Sequence, residues 1–190
     1  MKKNVLGFIG LVFTAAIVNA AMIDKDSVEI KFEGFKTQQM VGLEGKFNDV
    51  KYVFGNDNTS IMSVLRGASA VIKVSSLDTG VDEANKNLIG VFFQTLIGNK
   101  NDINVTFRDV IEGDNVGVIM ANINVGTKKG TMLPLTYIIK DGKLEAKGQL
   151  NLLVFKNAKK ALTALSKVAL GHAGISWPLV NVIFTADITK

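Results

Sequence analysis

The sequence predicts an all-β protein, an antiparallel barrel of eight strands with one or two short amphipathic helices. Apolar and polar residues alternate with period two in stretches that recur along the chain, which is typical of strands with one buried face. Turn-forming residues separate several of these stretches. The chain also has 18 glycines and only 2 prolines, as expected for consecutive hairpins. A meander of roughly eight strands can close into a barrel.

The strand pattern covers most of the chain after its first part. Strands of about 10 residues would make a barrel roughly 33 Å tall, which slightly favours an internal cavity over a solid core. Strands are predicted at residues 28–32, 41–54, 68–75, 103–107, 119–125, 133–139, 144–152 and 180–188.

Two turn signals agree with this order of hairpins. Gly113-Asp114-Asn115 and Asp141-Gly142 each lie between two alternating runs, and Asp-Gly is a strong hairpin signal.

Three segments break the period of two. A capped helical turn or two is predicted around Ile61 to Leu65, between Thr59 and Gly67. A helix is predicted from about Val81, with Asp78 or Thr79 as its cap. The clearest helix runs from Asn157, a plausible N-cap, to Gly171, a plausible C-cap. Its apolar stripe consists of Ala158, Ala161, Leu162, Leu165, Val168 and Ala169.

Composition excludes several classes of function. The chain has no cysteine and a single histidine, His172. Disulfide scaffolds, thiol nucleophiles, iron–sulfur clusters and multi-histidine metal sites within one chain are therefore excluded. No cofactor is predicted. The formal net charge of +5 is mildly basic, so no nucleic-acid partner is expected.

The first twenty residues resemble a signal peptide. A short basic start is followed by an apolar run from Val5 to Val18 and by the small residues before Ala20. The run is too short to span a bilayer, which takes about 20 residues. We therefore expect export to the periplasm, cleavage near Ala20 and a mature barrel domain over residues 21–190 that does not span the membrane.

An ordered set of short motifs resembles the YceI-like family of secreted, lipocalin-like proteins that bind polyisoprenoid chains. The set comprises Asp24-x-x-Ser27-Val28, Gly45-Lys46-Phe47, Ser76-Leu77-Asp78-Thr79-Gly80, Leu88 with Phe92-Phe93, and Val180-x-Val182-x-Phe184. The resemblance extends over residues 23–188.

The resemblance implies a non-enzymatic binding protein. Its partner would be a long-chain lipid, an isoprenoid or a fatty-acid derivative, and the protein is often a dimer. The implied cavity would be lined by the inward apolar residues Phe32, Phe47, Ile72, Phe92, Phe93, Val105, Phe107, Ile119, Leu135, Leu150, Leu162, Leu165, Trp177 and Phe184.

Two alternatives remain open on the residues alone. Periodicity identifies the inward face but not whether the barrel is filled, so a structural protein with a solid core is the first. The second is a lipid-modifying enzyme with Asp78 or His172 as acid or base, although nothing pairs them in sequence. Asp78-Thr79-Gly80 also matches the aspartic-protease triplet, but helix capping explains it better. Six lysines could face a diphosphate head or cover a solvated surface: Lys128, Lys129, Lys156, Lys159, Lys160 and Lys167.

Overall fold

A computed structural model describes residues 22–55, 60–126, 130–169 and 171–189. The predicted signal peptide, Thr59, Lys128 and Lys129 lie outside the described residues. The strands are β1 (Met22–Ile23), β2 (Glu29–Lys36), β3 (Val41–Phe47), β4 (Val50–Val53), β5 (Ser69–Lys73), β6 (Leu77–Asp78), β7 (Asp102–Glu112), β8 (Val116–Val125), β9 (Thr131–Lys140), β10 (Lys143–Asn151) and β11 (Ser176–Thr189).

All strand pairs of the described residues are antiparallel, and they form one 11-stranded sheet in the order β4-β5-β7-β8-β9-β10-β11-β2-β3-β6, with β1 on β11. The two ends of this order are connected through the chain. Strand β3, next to one end, is followed directly by β4 at the other end, with only Asn48 and Asp49 between them. The Asn48 N–H donates to Ser76 O at 3.0 Å, and the Lys73 N–H donates to Asp49 O at 3.0 Å. These bonds continue the pairing between the two ends of the sheet, so the sheet curls into a barrel.

The predicted all-β barrel is therefore confirmed, with a different division of its strands. The stretch predicted at 41–54 is split into β3 and β4, and β5 is separated from β6 by a turn of 3-10 helix at Val74–Ser76. The short strand β1 adds a further segment on β11.

The described residues also form more helix than the one or two segments predicted. The helices are α1 (Ile61–Leu65), α2 (Asp82–Asn87), a π-helical segment (Leu88–Phe93), α3 (Gln94–Ile97) and α4 (Ala158–Val168).

Each predicted helix exists, but the predicted caps differ. The residue before α2 is Val81, and it makes no side-chain cap. Asn157 precedes α4 without a side-chain cap, and Ala169 ends that helix, two residues before Gly171. Val168, predicted on the apolar stripe, is exposed, whereas its neighbour Ala169 packs against the core. No helix in the described ranges is both long and apolar enough to cross a membrane.

One end of the barrel is filled by side chains. Helix α1 closes this end, with Leu65 fully buried and the Gly67 N–H donating to Phe107 O at 2.8 Å. We call this region the packed end, defined by the buried side chains of Val64, Leu65, Phe107, Val110, Ile119, Leu135, Tyr137, Leu144, Phe184 and Ala186.

Candidate functional site

The other end of the barrel holds a cavity of about 180 Å³. Its wall is made by the inward residues of the strands and by side chains from α2 to α4. We call this region the cavity end. Among the predicted residues, those that line the cavity are Phe32, Phe47, Ile72, Phe92, Phe93, Val105, Leu150, Leu162, Leu165 and Trp177.

The strands form part of the cavity wall because every second side chain of a strand points into the barrel. On β2 the inward series is Ile30, Phe32, Gly34 and Lys36, and all four line the cavity. Gly34 matters for the empty space: a Cβ built there would meet no atom within 4 Å. An inward glycine thus leaves room that a larger residue would fill.

Phe32 and Phe47 form an aromatic part of this wall. They lie on neighbouring strands, and their ring centroids are 5.6 Å apart at an interplanar angle of 45°. Gly45 lies beside them, and a Cβ there would come within 2.5 Å of the Phe32 ring. The glycine therefore leaves the space that the Phe32 ring occupies beside β3.

The π-helical segment brings two adjacent phenylalanines to the cavity. An α-helix turns by about 100° per residue, so it seldom directs neighbouring residues at the same site. In the wider π turn Phe92 and Phe93 both line the cavity, edge to face at 5.1 Å and 79°. Leu88 and Leu96 extend the same surface. π turns inside helices are frequent at functional sites.

Helix α4 covers the remaining side of the cavity with Leu162 and Leu165. The Asn157 side-chain amide donates to Leu96 O at 3.3 Å, which connects the start of α4 to the end of α3. Asn157 therefore joins the two helical covers rather than capping its own helix.

Trp177 lines the cavity at the start of β11. Its indole N–H donates to Thr37 O at 2.6 Å, and Thr37 has a left-handed backbone with φ of 62°. This bond ties the β2–β3 turn to β11, so the indole ring has a fixed position at the rim.

A small polar cluster lies beside Trp177. His172 and Ser176 both line the cavity, with His172 Nδ1 2.8 Å from Ser176 Oγ. Ser166 Oγ lies 2.9 Å from Ser176 Oγ. Burial lowers the pKa of His172, and the charge of Lys36 lowers it further. Both effects favour the neutral form of the imidazole.

The remaining predicted cavity residues, Phe107, Ile119, Leu135 and Phe184, lie at the packed end instead. Phe107 and Phe184 pack edge to face at 5.3 Å and 82°, beside a void of only about 20 Å³. Ile119 and Leu135 are 0% and 2% exposed. All four are buried in the core of the barrel. They lie nearer the other end of the barrel than the cavity does. Strand alternation could not predict this, because it does not indicate which end of the barrel a residue occupies.

Several cavity residues were not selected from the sequence. Ile103, Ile123, Val125, Val180 and Val182 line the cavity and share the predicted inward period, so that period could have identified them. Lys36 lines it too, two residues beyond Gly34 in the same alternation. Charged residues are mostly exposed in folded proteins, so its charge gives no indication of an inward position.

Asp78 does not line the cavity, so the structure does not bring it together with His172 there. The Gly80 N–H donates to its Oδ1 at 2.8 Å. That bond, with the Asn48 and Asn85 amides, lowers the pKa of the exposed Asp78 carboxyl. The Thr79 hydroxyl donates to Asn85 Oδ1 on α2 at 2.8 Å and accepts from the Val81 N–H at 3.3 Å. The Asp-Thr-Gly triplet thus forms a turn before α2.

The predicted lysine set does not face the cavity within the described ranges. Lys156, Lys159, Lys160 and Lys167 are exposed and none lines the cavity. No group of three or more His, Asp or Glu side chains that could hold a metal ion occurs in the part of the chain that the structure describes.

Comparison with solved structures places this fold among known proteins. A polyisoprenoid binding domain from Saccharophagus degradans, implicated in plant cell wall breakdown, has a TM-score of 0.56 and 15% identity over 90% of this chain and 98% of its own. Burkholderia cenocepacia BcnA has a TM-score of 0.57 and 17% identity over 88% and 99%. The Campylobacter jejuni YCEI protein has a TM-score of 0.57 and 18% identity over 82% and 90%.

No family model matches the sequence, and no curated protein matches it either. The predicted likeness to the YceI-like proteins is confirmed by the shared fold. The predicted lipocalin-like barrel is confirmed with it.

Proposed function

We propose that this protein is a non-catalytic member of the YceI-like family that binds a long-chain apolar or amphiphilic molecule, of the polyisoprenoid type, in the cavity end of its barrel. The observation that carries this proposal is the continuous apolar wall formed by the strands, the π-helical segment and α4 around about 180 Å³ of empty space. The fold shared with a polyisoprenoid binding domain supports the same ligand class.

The size of the cavity limits what it encloses. An apolar cavity of about 150 Å³ accommodates one benzene, so the enclosed space suits roughly seven carbon atoms of a chain. A longer chain would extend past Trp177 at the rim or displace lining side chains. Burial contributes about 0.8 kcal/mol per CH₂ before the costs of binding. An apolar segment can therefore bind without a precise polar site.

The cavity argues against the alternative of a structural protein with a solid core, because side chains fill the barrel only at the packed end. A lipid-modifying enzyme is the weaker alternative, because Asp78 and His172 are not both at the cavity. Export to the periplasm, cleavage near Ala20 and a homodimer belong to the proposal as well. N-terminal sequencing of the native protein should begin within two residues of Ala21, and sedimentation should give twice the mass of one chain.

Mass spectrometry of organic extracts tests the binding function. Protein purified without detergent should release a long-chain lipid that mock purifications lack. A titration with normal alcohols of increasing length should then give affinities that rise with chain length.

A variant that fills the cavity sharpens this test. Gly34→Leu places a side chain where a Cβ meets no atom within 4 Å, so the protein should fold and lose most of its lipid. Gly90→Leu is the control, because Gly90 is exposed, does not line the cavity and has equally open space around it. Equal lipid content in both variants and the parent would contradict the proposal.

A further inference from the structure

The charges on the cavity wall all have one sign. Among the described residues that line it, the titratable side chains are Lys31, Lys36 and His172, and no carboxylate is present. An otherwise apolar wall with only basic groups provides electrostatic complementarity to an anion.

The lysines differ in whether their charge is compensated. Lys31 Nζ lies 2.7 Å from Glu29 Oε2, which largely cancels its charge. Within the described ranges no salt bridge involves Lys36. Lys36 is partly buried as a residue, and no carboxylate of the described residues compensates its charge.

Lys36 and the polar cluster converge at the same place on the rim. Lys36 is directly opposite Ser176 in the β2–β11 pairing, and Ser176 Oγ is 2.8 Å from His172 Nδ1. Directly opposed residues have Cβ atoms about 4.5–5.5 Å apart. The charge of Lys36 also acts on the His172 imidazole, so an ammonium, a hydroxyl and an imidazole belong to the same part of the rim beside the apolar wall.

We propose that the cavity selects a chain that ends in an anionic head group, a carboxylate or a phosphate monoester, with Lys36 as its counter-ion and Ser176 and His172 as hydrogen-bonding partners. This inference rests on the proposed function. The chain lies against the apolar wall and the head group remains at the rim, where water still reaches it. A cationic head of the same size would be repelled by Lys36, and a neutral head would leave that charge unpaired.

Matched C12 ligands separate head-group selection from chain binding. Dodecanoate, dodecyl phosphate, dodecanol and dodecylamine are titrated at submicellar concentration by calorimetry into the full chain, its Lys36→Gln variant and a Lys156→Gln control. Lys156 is exposed and does not line the cavity. The carboxylate and phosphate arms distinguish a fatty-acid-type ligand from a phosphate lipid.

The expected result is that one or both anions bind at least tenfold more tightly than dodecanol, and that dodecylamine binds most weakly. Lys36→Gln should remove most of this preference, lowering the affinity for the anions far more than the affinity for dodecanol, while Lys156→Gln should change neither. The preference should also shrink with added salt, since Lys36 is only partly buried.

Equal affinity for dodecanoate, dodecyl phosphate and dodecanol in the parent protein would overturn the head-group inference and leave chain binding intact. An equal loss for all ligands in Lys36→Gln would overturn it too. If none of the ligands binds the parent protein, the proposed function itself fails, so the two failures are distinct.

Discussion

The two ends of the barrel are built from the same strands but differ in what occupies the interior. On β7, Val105 lines the cavity, whereas Phe107, two residues further, belongs to the packed end. On β11, Val182 and Phe184 divide in the same way. The packed end is closed by α1, and the cavity end is covered by α2, α3 and α4. Stability is therefore expected to come mainly from one end and ligand binding from the other.

The largest difference is expected for deletion of a buried leucine. Leu135→Ala at the packed end removes a side chain that is 2% exposed, and should lower the free energy of unfolding by about 2–5 kcal/mol. Leu150→Ala should cost roughly half as much, because Leu150 already faces empty space and loses fewer contacts. Urea denaturation of lipid-free protein measures both. Equal losses would mean that the two ends are packed alike.

Enlarging a side chain should affect mainly stability at the packed end and mainly lipid content at the cavity end. Ile119→Trp overpacks a site that is fully buried and should cost about 1–3 kcal/mol. Leu150→Trp extends into the cavity, so its melting temperature should fall less while its co-purified lipid is lost. Thermal melts and lipid analysis on the same samples test this, and a smaller fall in melting temperature for Ile119→Trp would contradict the assignment of the ends.

Tyr137 provides a smaller effect of opposite sign at the packed end. It is fully buried, its hydroxyl has no hydrogen-bond partner among the described residues, and burial raises its pKa. Tyr137→Phe removes the unpaired hydroxyl and should raise the free energy of unfolding by up to about 1 kcal/mol. A loss of stability in chemical denaturation would instead indicate that a water molecule binds the hydroxyl.

The smallest effect concerns pH at the cavity end. Because the pKa of folded His172 is lowered, the unfolded chain binds the proton more readily. The stabilising contribution of neutral His172 is present above its unfolded pKa of about 6.5 and is lost as pH falls through the lower folded value. In lipid-free His172→Gln, the part of the fall in unfolding free energy at low pH that is due to His172 should disappear. If the variant loses as much unfolding free energy between pH 7 and pH 5 as the parent does, the assigned role of His172 is contradicted.

The sequence was sufficient for the fold because the fold depends on local patterns. Alternation along β7 to β11 and the Asp141-Gly142 turn specify strands and hairpins before any tertiary contact is known. Local patterns do not specify the position of a residue along the barrel axis. Val105 and Phe107 have the same inward period, and only the helices that cover each end distinguish them. Those contacts join residues far apart in sequence.

The polar part of the candidate site was harder to predict for the same reason. His172 and Ser176 are close in sequence, but Lys36 joins them through the pairing of β2 with β11, across most of the chain. The π-helical segment was also missed, since Leu88, Phe92 and Phe93 read as part of an ordinary helix. Adjacent phenylalanines on an otherwise amphipathic helix were the available signal.

Leucine methyl NMR during a dodecanol titration tests the central claim most directly, because leucines lie at both ends. The account predicts large, saturable shifts for Leu88, Leu150 and Leu162, which line the cavity. The methyl signals of Leu65, Leu135 and Leu144, which are buried at the packed end, should stay nearly unchanged. Saturable shifts confined to the packed-end leucines, or no saturable shift at any leucine, would contradict the claim that a chain binds in the cavity end of the barrel.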